Sequence, residues 1–274
     1  MKKRLTNLLF VLPTLVLFAL FFILPLFILG FHSLSTADQQ GINCFTFSNY
    51  TAIIANGRYR TALFNSLWLS LSVTAITIVI SGVIAFFLAR TDFKGKNLYM
   101  TLITFPVSLP GVVVGFMIII LFGTTGVFPM LTRWIFGKAS GSFAYSILGI
   151  FFAYLYFSVP KTVMTMYGSI VAFDVRLEEA ARTVGANEQQ AIFYVVIPTL
   201  APAIISSTAL AFVTCMSAFG TAFTLANQFS IIPILMYTEY TNYFNISGAS
   251  AMAIFIGVIC VVLNMVARML LEKE

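Results

Sequence analysis

Long runs of apolar residues alternate with short polar segments along this chain. An α-helix needs about 20 apolar residues to cross the ~30 Å hydrocarbon layer of a bilayer. Six runs approach that length, and they cover residues 8–31, 66–88, 98–122, 146–170, 200–225 and 249–271. The pattern predicts an all-α integral membrane protein with six transmembrane helices, folded as a single domain over residues 1–274.

The first run follows the basic sequence Met1-Lys2-Lys3-Arg4, which is also how a secretory signal begins. Signal peptides have an apolar core of about 7–15 residues and a small-residue cleavage site. The run at 8–31 is longer, and no clear cleavage site follows it. We therefore expect a retained helix.

The composition agrees with a membrane protein, since 60% of the 274 residues are apolar and only 9% are charged. The net charge is +6, and most of the basic residues lie between the apolar runs. This placement indicates that they set the orientation of the protein in the membrane rather than bind nucleic acid. With a cytoplasmic N-terminus, the inner segments hold ten basic residues and the outer segments four. The inner ones are Lys2, Lys3, Arg4, Arg90, Lys94, Lys96, Arg176, Arg182, Arg268 and Lys273, and the outer ones are Arg58, Arg60, Arg133 and Lys138. Both termini are thus predicted to be cytoplasmic.

The sequence offers little for catalysis or metal binding. The three cysteines, Cys44, Cys215 and Cys260, are far apart, and His32 is the single histidine. We expect neither catalytic residues nor a metal site. The chain also lacks the GxxxxGK[ST] phosphate-binding loop, so it is not expected to hydrolyse ATP by itself.

The longest charged stretch lies between the fourth and fifth runs and reads DVRLEEAARTVGANEQQ over residues 174–190. Residues 177–183 are strong helix formers, with Glu178 and Glu179 at the amino end, where the helix dipole favours acids. Gly185 suits the position after a helix end, and Asn187 suits the cap of a second helix. The stretch therefore predicts a helix–turn–helix on the cytoplasmic face.

A family resemblance rests on the same residues. Glu179-Ala180-Ala181, Gly185 and Val195-Val196-Ile197-Pro198 are similar to the E-A-A-x3-G-x9-I-x-L-P loop of binding-protein-dependent ABC importer permeases. Val195 replaces the usual Ile and Ile197 the usual Leu. The six-run layout also resembles the type I importer core, so the resemblance covers nearly the whole chain.

The resemblance implies that residues 171–198 form a cytoplasmic loop that couples the permease to a separate ATP-binding subunit. The implied coupling residues are Glu178, Glu179, Ala180, Ala181, Gly185, Ala186 and Pro198. It further implies a bacterial inner-membrane protein that works with an ATPase dimer, a second similar or identical permease and a solute-binding protein. ATP and Mg would be bound by the ATPase, and no cofactor by this chain.

The transported solute is less well specified. Ala218-Phe219-Gly220 resembles an acidic-Phe-Gly element of these permeases, but alanine replaces the acid, which argues against transferring the specificity of oxyanion or ferric relatives to this chain. The outer-loop sequence Phe45-Thr46-Phe47-Ser48-Asn49-Tyr50 and the later Tyr237-Thr238-Glu239-Tyr240 most resemble polyamine permeases of the spermidine/putrescine type. Phosphonate, ferric-ion, thiamine and sulfate permeases share much of the pattern, so these solutes stay open.

Candidate pathway residues lie in the fourth and fifth runs. Lys161 is the one charge well inside an apolar run, where it either contacts solute, extends to the cytoplasmic interface or fills a polar pocket between helices. Ser217, Thr221 and Thr224 recur at helical spacing and either line a solute path or pack helices together. Asn227 and Glu239 are placed near the outer face, where a solute-binding protein would dock.

We considered three other classes of protein for this sequence. An ion-coupled secondary transporter would need intramembrane acids or histidines, which are not evident, and it leaves the EAA-like loop unexplained. An intramembrane enzyme would need a nucleophile and base, or metal ligands, within the spans. A non-transporting assembly factor is poorly excluded by sequence.

Overall fold

The computed structural model describes residues 11–37, 43–138, 140–226 and 229–271. These residues are mostly helical. The helices are α1 (Val11–Ser33), α2 (Ser48–Ala55), α3 (Gly57–Arg90), α4 (Lys96–Thr104), α5 (Gly111–Phe122), α6 (Val127–Phe136), α7 (Ile147–Val171), α8 (Arg176–Thr183), α9 (Glu188–Met216), α10 (Phe219–Leu225), α11 (Ile232–Thr241) and α12 (Ile246–Leu271). Strands β1 (Ser35–Ala37) and β2 (Asn43–Phe45) pair antiparallel, with Thr36 opposite Cys44.

Six segments of the described chain are long and apolar enough to cross a membrane. They are Val11–Ser33, Gly57–Arg90, Gly111–Phe136, Ile147–Val171, Glu188–Met216 and Ile246–Met269. The predicted all-α architecture with six spans is therefore confirmed. The boundaries differ most in the third and fifth spans.

The bounds predicted for the third span, residues 98–122, are wrong, and these residues do not form one continuous helix. Helix α4 ends at Thr104, a 3-10 turn follows over Phe105–Ser108, and α5 starts only at Gly111. Pro110 is the residue before α5, and its backbone is extended. Proline has no N–H to continue the bonding of α4, but it is tolerated at a helix start, so the helix breaks here and resumes.

The prediction of one helix over residues 200–225 is also wrong. Helix α9 begins earlier, at Glu188, and ends at Met216, and the separate short helix α10 begins at Phe219. At the break, the carbonyl of Ala218 accepts a 2.8 Å hydrogen bond from the buried Tyr154 hydroxyl of α7. This tertiary contact satisfies a polar group that the helix break exposes within the membrane region.

Two helices contain one wide π-helical turn each, at Ala19–Ile23 in α1 and at Ile192–Val196 in α9. Each turn ends two residues before a proline, Pro25 or Pro198. A proline inside a helix lacks an N–H and its ring collides with the carbonyl four residues earlier. Widening the preceding turn relieves that conflict without ending the helix.

The fold divides into two units, one within residues 1–61 and 235–259, the other within 62–234 and 260–274. In the first, the Asn49 amide donates to the carbonyls of Ser33 and Ser35, at 3.0 and 3.1 Å, and ties α2 to the end of α1. In the second, a buried core includes Leu69 of α3 and Tyr154 of α7. The single-domain expectation for residues 1–274 stays a prediction.

Candidate functional site

The EAA-like segment folds as a helix that ends in a Schellman turn. Gly185 has a left-handed backbone with φ of 94°. The N–H of Gly185 donates to the carbonyl of Arg182 at 3.0 Å, and the N–H of Ala186 donates to the carbonyl of Ala181 at 3.1 Å. These two bonds define the motif. The glycine is therefore required by the backbone angle, since a side chain there would meet open space.

The next helix starts with a complete capping box. The Asn187 side chain accepts a hydrogen bond from the N–H of Gln190, and the Gln190 side chain accepts one from the N–H of Asn187, at 2.8 and 2.9 Å. The cap predicted at Asn187 is confirmed. The helix it starts is not a separate short one, however, because it continues as α9 to Met216. Any movement of this turn is thus applied directly to the fifth span.

The two adjacent glutamates of α8 have different environments. Glu178 is buried at 7% exposure, and its carboxylate lies 2.7 Å from Arg182 of the same helix and 2.7 Å from Arg90 at the end of α3. The Arg90 contact is an ion pair without hydrogen-bond geometry. The guanidinium of Arg90 also lies over the rings of Phe86 and Phe173, at 5.3 and 5.5 Å. Glu178 therefore attaches α8 to the membrane domain.

The opposite side of α8 is open. Glu179 and Ala180 are exposed, Leu177 is 47% exposed, and Val184 is 87% exposed. A carboxylate beside small and apolar side chains is a surface suited to a protein partner, because alanines permit close approach of two backbones. Ala181 and Ala186 are half-buried at the turn, while Pro198 is exposed further along α9. The structure thus separates Glu178 from the exposed Glu179 and Ala180.

Arg90 is a residue that the sequence analysis missed. From the sequence, Arg90 is expected only to set the orientation of the second span in the membrane. Its partner, Glu178, lies far along the chain, so no local pattern connects the two. The one signal in the sequence is that the stretch after span four holds two adjacent acids, which lie about 100° apart on a helix and so can meet different surroundings.

The candidate pathway residues fall into two groups. Lys161 is exposed on α7. Thr221 is buried, and its hydroxyl donates to the carbonyl of Gly111 on α5 at 3.0 Å. A Cβ on Gly115 would lie 1.7 Å from the hydroxyl oxygen of Thr224. Thr221 and Thr224 therefore serve the close packing of α10 on α5.

Ser217 is exposed at the helix break, so it does not continue the helical row with Thr221 and Thr224 that the sequence predicted. Asn227 lies outside the described residues. Glu239 is buried at 4% exposure, 3.4 Å from Arg58, and it accepts a 3.0 Å hydrogen bond from Asn245. Glu239 is therefore engaged within the chain. Within the described ranges no three His, Cys, Asp or Glu side chains could together hold a metal ion.

Six apolar spans, broken helices within them and an exposed helix–turn between the fourth and fifth define a polytopic permease. The model of the family described as binding-protein-dependent transport system inner membrane component matches residues 81–273. The chain belongs to this family, and it is the permease subunit of a type I ABC importer in the inner membrane. Family membership favours ATP-driven import over the ion-coupled alternative.

Curated relatives carry names of oxyanion permeases. The molybdenum transport system permease ModB of Escherichia coli K12 is 32% identical over 213 residues, which are 74% of this chain and 90% of that protein. The sulfate transport system permease CysT of the same organism is 29% identical over 212 residues, 76% of this chain and 75% of that protein. These relatives do not support the polyamine interpretation of the sequence.

Solved structures agree on the fold. A bacterial ABC transporter involved in the import of the acidic polysaccharide alginate superposes with a TM-score of 0.83 over 99% of this chain and 96% of that chain. An amino acid ABC transporter matches with a TM-score of 0.56 over 82% of this chain. At 18% and 16% sequence identity, these likenesses show the fold alone.

Proposed function

We propose that this chain forms half of the pathway by which an ABC importer takes up a tetrahedral oxyanion of the molybdate, tungstate or sulfate class. The relatives support the solute class, since ModB is similar over 90% of its own length. Another permease named for molybdate and tungstate, WtpB of Pyrococcus abyssi, is 30% identical over 183 residues. A solute-binding protein would deliver the oxyanion from outside.

The charges of the spans also favour an anion over a polyamine. Among the described residues of the six candidate spans, the single carboxylate is Glu188, at the start of α9. A polyamine carries several positive charges, and stripping its water within a membrane needs acidic partners. An oxyanion needs no such partners.

The same proposal assigns residues 171–198 to coupling. The exposed side of α8, with Glu179 and Ala180, would enter a groove on a cytoplasmic ATPase, and ATP-driven closure of the ATPase dimer would move α8 and α9 together. The observation that carries this assignment is the Schellman turn at Gly185, which connects the exposed helix to the fifth span through two backbone hydrogen bonds. ATP and Mg belong to the partner in this scheme.

The coupling assignment is tested with Glu179→Lys in the complete complex of permeases, ATPase and solute-binding protein. Reversing an exposed charge at the docking surface should reduce ATPase activity stimulated by the loaded binding protein by about ten-fold, which corresponds to about 1.4 kcal/mol of lost interaction. Asp92→Lys is the matched control, because Asp92 is fully exposed and lies on the loop after α3, outside the coupling segment. Equal activity in both variants would refute the assignment.

A further inference from the structure

Lys161 lies deep within its helix. Helix α7 runs from Ile147 to Val171, so ten residues separate Lys161 from its carboxyl end. At a rise of 1.5 Å per residue that distance is about 15 Å, half the thickness of the hydrocarbon layer. In a helix whose carboxyl end lies at the boundary of the hydrocarbon layer, a lysine side chain is too short to reach the headgroups from this depth.

The Lys161 side chain borders two neighbouring open cavities, of about 290 and 750 Å³, which also share Val107. The smaller one has walls from α5, α7, α9 and α10, including Gly111, Thr214 and Ala218. No carboxylate in the described part of the chain forms an ion pair with Lys161. A membrane cation without a counter-charge is costly and marks a functional site by default.

The remaining walls of the smaller cavity suit an anion. Ala218 contributes no charge to these walls. Gly111 and Val112 are the first two residues of α5. The first N–H groups of this helix that bond to a backbone carbonyl are those of Val113 and Val114, which both donate to Pro110. The N–H groups that precede them in the first turn have no acceptor within their own helix. The Thr221 hydroxyl is already committed to Gly111.

We propose that the Lys161 cavity is a transit site at which the permease contacts its oxyanion during translocation. This inference rests on the proposed function and adds the residue that supplies the charge. Lysine attracts a tetrahedral oxyanion as a point charge with three donors, and it repels a cationic solute. The oxyanion in turn provides the counter-charge that Lys161 lacks, so occupancy is favoured at the depth where water is scarce.

The test uses the complete complex in proteoliposomes, with uptake of radiolabelled molybdate and sulfate measured over a range of concentrations. Lys161→Met keeps most of the length and removes the charge, and we expect the initial rate of uptake to fall about ten-fold or more. Lys161→Arg should retain at least about half of the rate, because it keeps the positive charge. Lys94→Met, on the exposed loop after α3, is the control and should transport at the wild-type rate.

A second pair of variants distinguishes an effect of charge in the cavity from a loss of folded protein. Ala218→Glu introduces a carboxylate into the same cavity, whereas Ala218→Gln adds nearly the same volume without charge. We expect uptake to be lost in the first and kept in the second, with both assembling normally as judged by co-purification of the ATPase.

The outcomes separate the two proposals. Uptake by Lys161→Met within two-fold of the wild type, or equal loss in Lys161→Met and Lys161→Arg, would overturn the transit site while the proposed function stands. Equal uptake by the two Ala218 variants would also overturn it. A wild-type complex that imports no oxyanion would overturn the proposed function itself, and the transit site with it.

Discussion

Gly185 occupies a left-handed backbone conformation that connects the exposed helix α8 to the fifth span. Because a Cβ at this position would meet open space, the backbone angle alone selects glycine. An L-residue with a side chain costs roughly 1–2 kcal/mol in this conformation, and asparagine tolerates it better than other residues. A substitution at Gly185 should therefore destabilise the turn without disturbing side-chain packing.

We predict that Gly185→Ala lowers ATPase stimulation in the assembled complex several-fold, whereas Gly185→Asn has a smaller effect. Alanine costs roughly 1–2 kcal/mol in a left-handed backbone conformation, so the observed turn becomes less populated. ATPase stimulation by the loaded binding protein is the measurement, with membrane insertion as the control. Identical activity of the alanine and asparagine variants would contradict a backbone origin.

At the scale of elements, the apolar runs at residues 98–122 and 200–225 are both broken, and the helices that follow the breaks, α5 and α10, pack on one another. Gly111 and Gly115 lie on α5 and allow α10 to approach through Thr221 and Thr224. Small residues at such contacts are typical of membrane helices, since close backbone approach replaces the hydrophobic drive to associate.

We predict that Gly115→Ala destabilises the protein by about 1–3 kcal/mol, the usual cost of overpacking. The added Cβ would lie 1.7 Å from the hydroxyl oxygen of Thr224, so α5 and α10 must separate. Thermal unfolding in detergent should show a lower Tm. Gly168→Ala in α7 is the matched control, because nothing lies within 4 Å of its added Cβ. A Tm unchanged by Gly115→Ala would count against this packing.

A second contact between elements joins α8 to α3 through Glu178 and Arg90. Removing one partner of a buried ion pair leaves the other charge desolvated, which is far more costly than losing a surface pair. Glu178 also contacts Arg182, whose side chain is half exposed. Substituting each arginine in turn therefore compares a more buried and a more exposed contact to the same carboxylate.

We predict that Arg90→Met costs about 1–3 kcal/mol in the local stability of α8, and Arg182→Met about 0.5 kcal/mol or less. The larger cost arises because Arg90 is the more buried of the two side chains, at 24% against 50% exposure. Amide hydrogen exchange of residues 176–191 is the measurement. Faster exchange in Arg182→Met than in Arg90→Met would show that the assignment of the buried contact is wrong.

For the whole molecule, the open question is orientation, which we propose from the ten basic residues predicted inside against four outside. This topology places the β1–β2 hairpin outside and α8 inside. Cys44 of β2 is exposed and Cys215 of α9 is buried, so they differ in access to a reagent.

We predict that a membrane-impermeant maleimide labels Cys44 in cells with a permeabilised outer membrane. A cysteine at Val184 in a Cys44→Ser background should be labelled only after the inner membrane is opened, since Val184 is 87% exposed on the coupling segment. Labelling of Val184→Cys in unopened cells would reverse the proposed topology.

The amino-acid sequence by itself determined the number of spans and the position of helix α8 between the fourth and fifth of them. The length of an apolar run is a local property that bilayer thickness selects. The helix end at Gly185 and the helix cap at Asn187 likewise depend on hydrogen bonds between residues close in sequence. Tertiary structure alone decided that the fifth apolar run breaks where Tyr154 contacts the Ala218 carbonyl, and that Glu178 faces Arg90. It also decided that Lys161 meets a cavity without a carboxylate partner. Each of these depends on contacts between residues far apart in the chain, which a linear pattern does not encode.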